Sequence, residues 1–235
     1  MAVARRFTGR PYVAATLEVN APLEKLVVDT LHVDCTTLVD QVLALTLAAG
    51  AEEDSDAAFR EALTNIRYHA GIIDGYASRC HYFTDLADNM AQQGLLTRVE
   101  ARGMTERTIT LNYMTMHPDS YVQLKDNPAE QALIREAEQR FTAVRQRYFS
   151  KQKAAFYRRA TSPIQDGDVL ALVTTVKGLD VSHLGFAVWV GDELHLFNAS
   201  SLKGSVVLDD YPIREFLLSR KSALGIEAWR PVYSR

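Results

Sequence analysis

Asp34-Cys35-Thr36-Thr37-Leu38-Val39-Asp40 marks the point where an extended stretch gives way to an apolar helical pattern. Leu38, Val39, Val42, Leu43, Leu45 and Leu47 crowd the segment from Thr36 to Ala49, dense enough for a helix buried on most sides, and Gly50 is its stop. Cys35 therefore stands at a helix start, where unpaired backbone N–H groups and the positive end of the helix dipole favour a thiolate. Far downstream, Ser182-His183-Leu184-Gly185-Phe186 reads as strand, and its histidine lies 148 residues beyond the cysteine. A histidine brought to a thiol by the fold supplies the general base and acid that cysteine-dependent acyl transfer requires.

A single cysteine is more often an inert core residue. Cys35 departs from that pattern because Asp34, Thr36 and Thr37 make a polar setting at a helix entry. Cys80, in Ser78-Arg79-Cys80-His81-Tyr82-Phe83, has no such entry position and only a sequence neighbour as histidine, which points to a structural role. His183 is favoured among six histidines because Gly185, two positions on and on the same strand face, removes a side chain where a substrate would approach. The orienting partner is expected on the neighbouring strand. In Leu194-His195-Leu196-Phe197-Asn198 the period of two sets His195 and Asn198 on opposite faces; Asn198 is the choice, with His195 an exposed hairpin residue.

The rest of the pattern sets the fold class. Ser55 to Tyr68 carries Ala58, Phe59, Ala62, Leu63 and Ile66 at helical spacing, and a third helix is expected over Phe83 to Gln93. Arg107 to Met114 alternates as a strand. Pro128 opens a helix with Leu133, Ala137, Phe141, Val144 and Tyr148 on one face, giving an expected helical insertion around residues 118–160 of a single domain spanning 1–235. The basic residues from Arg140 to Arg159 are read as its solvated face. Val169 to Val176, Leu184 to Val190 and Glu193 to Asn198 are successive strands, with a hairpin turn at Gly191-Asp192. Helices first and antiparallel strands later, without βαβ alternation, predict an α+β fold with a nucleophile-bearing helix packed on a C-terminal sheet.

Composition excludes several classes. In 235 residues, 47% are hydrophobic and the formal net charge is −3, which gives no electrostatic basis for nucleic-acid binding. No apolar run approaches the ~18 residues of a membrane span, and Met1 to Arg10 lack the apolar core of a signal peptide. No His-Glu-x-x-His, no Gly-x-Ser-x-Gly and no phosphate-binding glycine loop occurs, and pairs such as Cys80 with His81 or His117 with Asp119 are too sparse for zinc. No metal or cofactor is expected.

Gly9-Arg10-Pro11-Tyr12-Val13-Ala14-Ala15-Thr16-Leu17-Glu18, Asp34-Cys35-Thr36-Thr37, Ile66-Arg67-Tyr68, Ser78-Arg79-Cys80-His81-Tyr82-Phe83-Thr84-Asp85, His183-Leu184-Gly185 and Asn198-Ala199-Ser200-Ser201 occur in that order. Together they resemble the N-acetylmuramoyl-L-alanine amidase-like bacterial family, related to NlpC-type papain-like cell-wall hydrolases, over nearly the whole chain. The resemblance implies a papain-like fold in which Cys35 attacks an amide of peptidoglycan or a muropeptide, His183 is base and acid, and Asn198 orients the imidazole. It implies Tyr12 as a substrate or oxyanion contact, with Ala15 where such motifs often carry glycine, and Asp34 as a ligand for a substrate amine in peptidase relatives. Asn198 stands where many relatives carry histidine. Arg79 and His81, with Tyr82 in the same segment, are candidates for substrate carboxylates, against a structural salt bridge for Arg79; Gly185 and Ser200 complete the substrate-side set, with Ser200 equally an ordinary turn residue. The expected bond is the one between muramic acid and L-alanine. Cleavage within the stem peptide, for example after D-glutamate, and a non-catalytic cell-wall binding module are the alternatives. Such a role implies the bacterial cell envelope or periplasm if an export signal has been trimmed, and the cytoplasm otherwise.

Overall fold

Asp34 starts the first long helix. In the computed structural model, which describes residues 1–18, 23–50 and 55–233 without the side chains of 155 and 156, the Asp34 carboxylate accepts the Thr37 backbone N–H at 2.8 Å. The Thr37 hydroxyl in turn accepts the Asp34 N–H at 2.9 Å. This reciprocal capping satisfies helix-end donors that would otherwise be orphaned beside the core.

The elements run α1 (Ala2–Arg5), α2 (Cys35–Ala48), α3 (Ser55–Arg67), α4 (Phe83–Gln92), β1 (Leu96–Arg98), β2 (Thr105–Ile109), α5 (Tyr113–Met116), α6 (Pro128–Gln139), β3 (Val144–Ser150) and α7 (Lys151–Phe156). They continue with β4 (Val169–Thr174), β5 (Val181–Val190), β6 (Glu193–Ser200), β7 (Ser205–Leu208), α8 (Ile213–Ser219) and β8 (Ala223–Pro231). The sheet order is β2-β3-β8-β4-β5-β6-β7, with β1 also paired to β8, and every pairing between these strands is antiparallel. Among the described residues, no helix is long and apolar enough to cross a membrane.

The period of two divides the central strands between two cores. Val169 and Ala171 of β4, with Leu184, Phe186 and Val188 of β5, face α2, α3 and α4. Leu170 and Leu172, with Ala187 and Trp189, face α7 and α8. Leu38, Val39, Val42 and Leu43 of α2 are all buried, and Phe59, Leu63 and Ile66 of α3 form the predicted inner stripe. Burial of α2 against the sheet fixes the height of its first residue, Cys35, relative to β5.

The structure corrects the reading of residues 107–160. The strand ends at Ile109; beyond it the N–H groups of Asn112 and Tyr113 both donate to the Gly178 carbonyl, and Leu111 and Met114 turn into a separate apolar cluster. The helix from Pro128 ends at Gln139, Ala143 adopts a left-handed φ of +56°, and Val144–Ser150 is strand. Segment 118–160 is therefore not a helical insertion, because β3 joins β2 to β8 within the sheet. Leu133 is solvent-exposed, and Arg145 pairs across the strands with Glu106 and Arg147 with Glu100 beyond β1, rather than lining a helix. At the hairpin, Val190 pairs with Glu193 and Gly191 supplies the positive φ, as the sequence indicates.

Gly225 is a packing requirement. A Cβ there would lie 2.0 Å from the Phe149 carbonyl oxygen, where β8 passes β3. Gly225→Ala is expected to lower stability by about 1–3 kcal/mol, the usual range for overpacking, read as a fall in the urea midpoint. An unchanged midpoint would mean that β3 and β8 part without cost.

Candidate active site

A cavity of about 130 Å³ opens where the N-terminus of α2 meets the start of β5 and the segment leading into α4, and Cys35, Cys80, His81, Asp180 and His183 are in its lining. The fold thus brings Cys35 and His183 to one cavity. The Leu184 N–H and the N–H and hydroxyl of Thr36 act on the Cys35 sulfur to lower its pKa. These donors favour a thiolate, yet burial outweighs them and the Asp34 carboxylate adds to it, so the thiol is pushed up to about 11. At a helix start that favours a thiolate, the balance at half-buried Cys35 therefore lies toward the thiol.

The imidazole is held by strand register. Phe186 of β5 pairs with Phe197 of β6, which sets Asn198 opposite Gly185 and diagonal to His183 on one face. His183 Nε2 and Asn198 Oδ1 are 2.8 Å apart. The amide is oriented from its other end, where Nδ2 donates to Asp209 Oδ2 at 3.2 Å and to the Leu196 carbonyl at 3.3 Å. Oδ1 must therefore accept, Nε2 must carry the hydrogen, and Nδ1 keeps its lone pair. Phe216 stacks on the ring at 6.0 Å between centroids and 18°. Burial, foremost among the influences on it, lowers the His183 pKa from its ordinary 6.5, so the ring is neutral at pH 7.

Asp209 is the residue that sequence reading missed. It follows β7, is 3% exposed, and its backbone N–H donates to the Leu196 carbonyl at 2.9 Å. His195, expected to be exposed, is buried, and its Nδ1 donates to the Asp209 carbonyl at 2.9 Å. A buried aspartate is indistinguishable from the exposed Asp210 beside it until the β6–β7 register is known. Gly185 also has a different use from the one expected. A Cβ at this position would meet the Phe197 carbonyl oxygen at 2.6 Å and Asn198 Cβ at 3.0 Å, so the glycine admits β6, not substrate.

Tyr12 is not among the residues lining the cavity; bridges from Pro11 to Ser205 and from Tyr12 to Val33 hold its segment nearby. Burial, then the charges of Cys35 and Asp34, raise its hydroxyl pKa, so the ring sits within electrostatic reach of both. Ala15 adopts a φ of +57°, the conformation the expected glycine would take freely.

The other candidates are committed elsewhere. Asp34 caps α2, its Oδ1 taking both the N–H and the hydroxyl of Thr37. Arg79 is buried, with Nη2 on Glu18 at 2.9 Å, Nε facing Glu24 at 3.4 Å and the guanidinium over the Tyr76 ring; it is the structural salt bridge and not a free carboxylate clamp. His81 lines the cavity, but its Nε2 is 2.8 Å from the Tyr76 carbonyl, and burial and the Arg79 charge lower its pKa to about 3, so it offers no cation to a carboxylate. Tyr82 contributes its ring to the lining while its hydroxyl donates to Glu138 at 2.6 Å. Ser200 accepts the Lys203 N–H in the turn before β7. Among the described residues, one group of three metal-ligating side chains occurs, His69, Cys80 and Asp85, and it includes neither Cys35 nor His183.

Burial and then the charges of Asp85 and Asp40 also raise the Cys80 thiol, and further than Cys35. Alkylation by iodoacetamide should therefore be slow at pH 7 for both thiols, faster at Cys35, and should climb about tenfold per pH unit. Peptide mass mapping separates the two sites, and equal labelling would contradict the assignment.

Residues 2–226 match the family described as N-acetylmuramoyl-L-alanine amidase-like. The chain is similar to a solved N-acetylmuramoyl-L-alanine amidase from Bacteroides uniformis ATCC 8492, at 36% identity and TM-score 0.91, covering 98% of this chain and 97% of that one. It is also similar to a Bacteroides fragilis structure provisionally described as a xylanase, at 37% identity and TM-score 0.91, covering 98% and 100%. A Legionella pneumophila protein shares the fold at 23% identity and TM-score 0.68, covering 99% and 89%. No curated protein matches the sequence.

Proposed function

The chain belongs to the N-acetylmuramoyl-L-alanine amidase-like family, and from that premise we propose that it is a cysteine-dependent hydrolase of peptidoglycan-derived amides, cutting between muramic acid and L-alanine. The observation that carries this reading is the presence of Cys35 and His183 in the lining of one cavity, with the imidazole held through Nε2 by Asn198. We read the architecture as a papain-like, NlpC-type variant; the support is a cysteine on the first turn of a buried helix packed against an antiparallel sheet that carries the histidine and asparagine.

In this mechanism His183 Nδ1 takes the Cys35 proton as the sulfur attacks the amide carbonyl, forming an S–C bond and a tetrahedral oxyanion. Collapse breaks the C–N bond, the amine leaves with the proton from His183, and the acyl group remains as a thioester. Water, deprotonated by the same nitrogen, then hydrolyses the thioester and restores the thiol. Asn198 keeps Nε2–H engaged throughout, and Tyr12 is the side-chain candidate for the oxyanion or the substrate. Because Cys35 and His183 both rest neutral, proton transfer accompanies attack and no thiolate–imidazolium pair precedes it.

Glycoside cleavage, which the xylanase description of the Bacteroides fragilis structure would suggest, uses two carboxyl groups across the scissile bond. Among the described residues lining the cavity, Asp180 is the one carboxylate, and its two oxygens accept the Thr84 and Val181 N–H groups.

Three outcomes are expected. Mass spectrometry of a muramyl-tripeptide and of a crude muropeptide digest incubated with the protein should show free peptide beginning with L-alanine, absent with Cys35→Ala; a fragment cut within the stem would make the chain a peptidase, and no product from either substrate would favour a binding module. The pH profile of kcat/KM should lose activity only as pH falls through the His183 value, below 6.5, and stay flat upward until Cys35 titrates near about 11. The sign follows because a protonated His183 cannot accept the thiol proton; a narrow bell around neutrality would indicate an ion pair instead. Asp209→Ala should lower kcat/KM by about 10–100-fold, as loss of a functional histidine's outer partner does, with Cys35 labelling little changed.

A further inference from the structure

His69, Cys80 and Asp85 lie outside the proposed chemistry, yet their donor atoms, Nδ1 or Nε2, Sγ and a carboxylate oxygen, fall within 4.8 Å of one another. Two separate segments and a helix bring them there. The Tyr68–Arg79 bridge and the Cys80 N–H to Arg67 carbonyl bond at 2.8 Å clamp the segment carrying His69 to the one carrying Cys80, and Asp85 follows in the first turn of α4. Cys80 and Asp85 are buried and His69 is a quarter exposed, so the donors converge in a partly dry site with one open side.

The hydrogen bonding within the group is inconsistent for a plain His–Asp pair. His69 Nε2 lies 2.9 Å from Asp85 Oδ1 and 2.8 Å from Oδ2, while Arg140 Nη2 approaches the same nitrogen at 3.2 Å. One ring nitrogen cannot donate to a carboxylate and accept from a guanidinium together. A cation placed among the three donors removes the conflict, since nitrogen, carboxylate and sulfur lone pairs then share one target. Arg140, half exposed and 4.0 Å from Asp85, supplies that positive charge now, its Nε donating to the Ala137 carbonyl at 3.2 Å.

We infer that His69, Cys80 and Asp85 form a binding site for a borderline-soft divalent cation of the zinc class. One sulfur, one imidazole and one carboxylate suit such an ion better than a hard one, and three protein ligands leave a fourth position for water. A thiolate and a carboxylate balance its two charges. Cys80 also lines the cavity that contains Cys35, so the ion would sit in the wall of the candidate active site. This inference does not depend on the proposed amidase reaction.

Cobalt(II) titration of the reduced full-length chain tests it, because a cobalt–thiolate bond gives a near-ultraviolet charge-transfer band and tetrahedral ligation gives visible d–d bands. Both should appear at one equivalent, persist in Cys35→Ala, whose one remaining thiol is Cys80, and be displaced by zinc. Cys80→Ser should lose the charge-transfer band, His69→Gln should weaken binding at least tenfold, and Arg140→Gln should tighten it by releasing the competing cation. Absence of the band in the wild-type chain, or its loss in a folded Cys35→Ala, would overturn the inference. If Cys80→Ser does not fold, Cys35→Ala alone decides the matter.

Discussion

The register between β5 and β6 is the constraint on which the site depends. Pairing Phe186 with Phe197 sets Asn198 diagonal to His183, and Gly185 makes that approach sterically possible. A slip of one residue would turn Asn198 to the opposite face and leave the imidazole without a partner. The register also carries Leu196 and Phe197 into opposite cores, so the hydrophobic energy that holds the sheet between its helix layers guards the polar contact as well. Behind Asn198, Asp209 fixes the amide by its side chain and is itself gripped through its backbone by Leu196 and His195. Fold stability and the proton inventory of the histidine are thus set by one pair of strands.

Burial decides the protonation state of the site. A helix N-terminus and three nearby donors act on the Cys35 sulfur in the direction of the thiolate, and desolvation with the Asp34 carboxylate acts the other way and prevails. Asp34 has two effects of opposite sign: it caps the helix that carries Cys35, and its charge opposes ionisation of the Cys35 thiol. In the proposed reaction a neutral His183 compensates, because it can accept the thiol proton. Opening of the cavity to substrate amide dipoles in place of low-dielectric surroundings would ease the same step.

Legibility in the sequence followed local physics. The α2 helix with Cys35 at its start, the α3 stripe and the three long C-terminal strands rest on periodicity and alternation, which are local signals, whereas the capping role of Asp34 emerges only in the fold. Residues 128–148 read as one helix because Leu133, Ala137, Phe141, Val144 and Tyr148 fall at helical spacing, while Ala143 breaks the helix by a left-handed turn that an alanine does not announce. Arg79, Tyr82 and Ser200 read as available for substrate because their partners, Glu18 and Glu24, Glu138, and Lys203, come from elsewhere in the fold or from a turn not evident in advance. Asp209 and the His69, Cys80 and Asp85 cluster were invisible for the same reason: each is made by pairings between separate segments.

The most direct measurement is nitrogen-15 NMR of the imidazole side chains at pH 7 in the wild-type chain, with His183 assigned by His183→Gln. A neutral ring protonated at Nε2, with Nδ1 unprotonated and the state persisting below pH 6.5, is the expected result. A cationic ring at pH 7, or a neutral ring protonated at Nδ1, would contradict it, since neither leaves Nδ1 able to take the Cys35 proton.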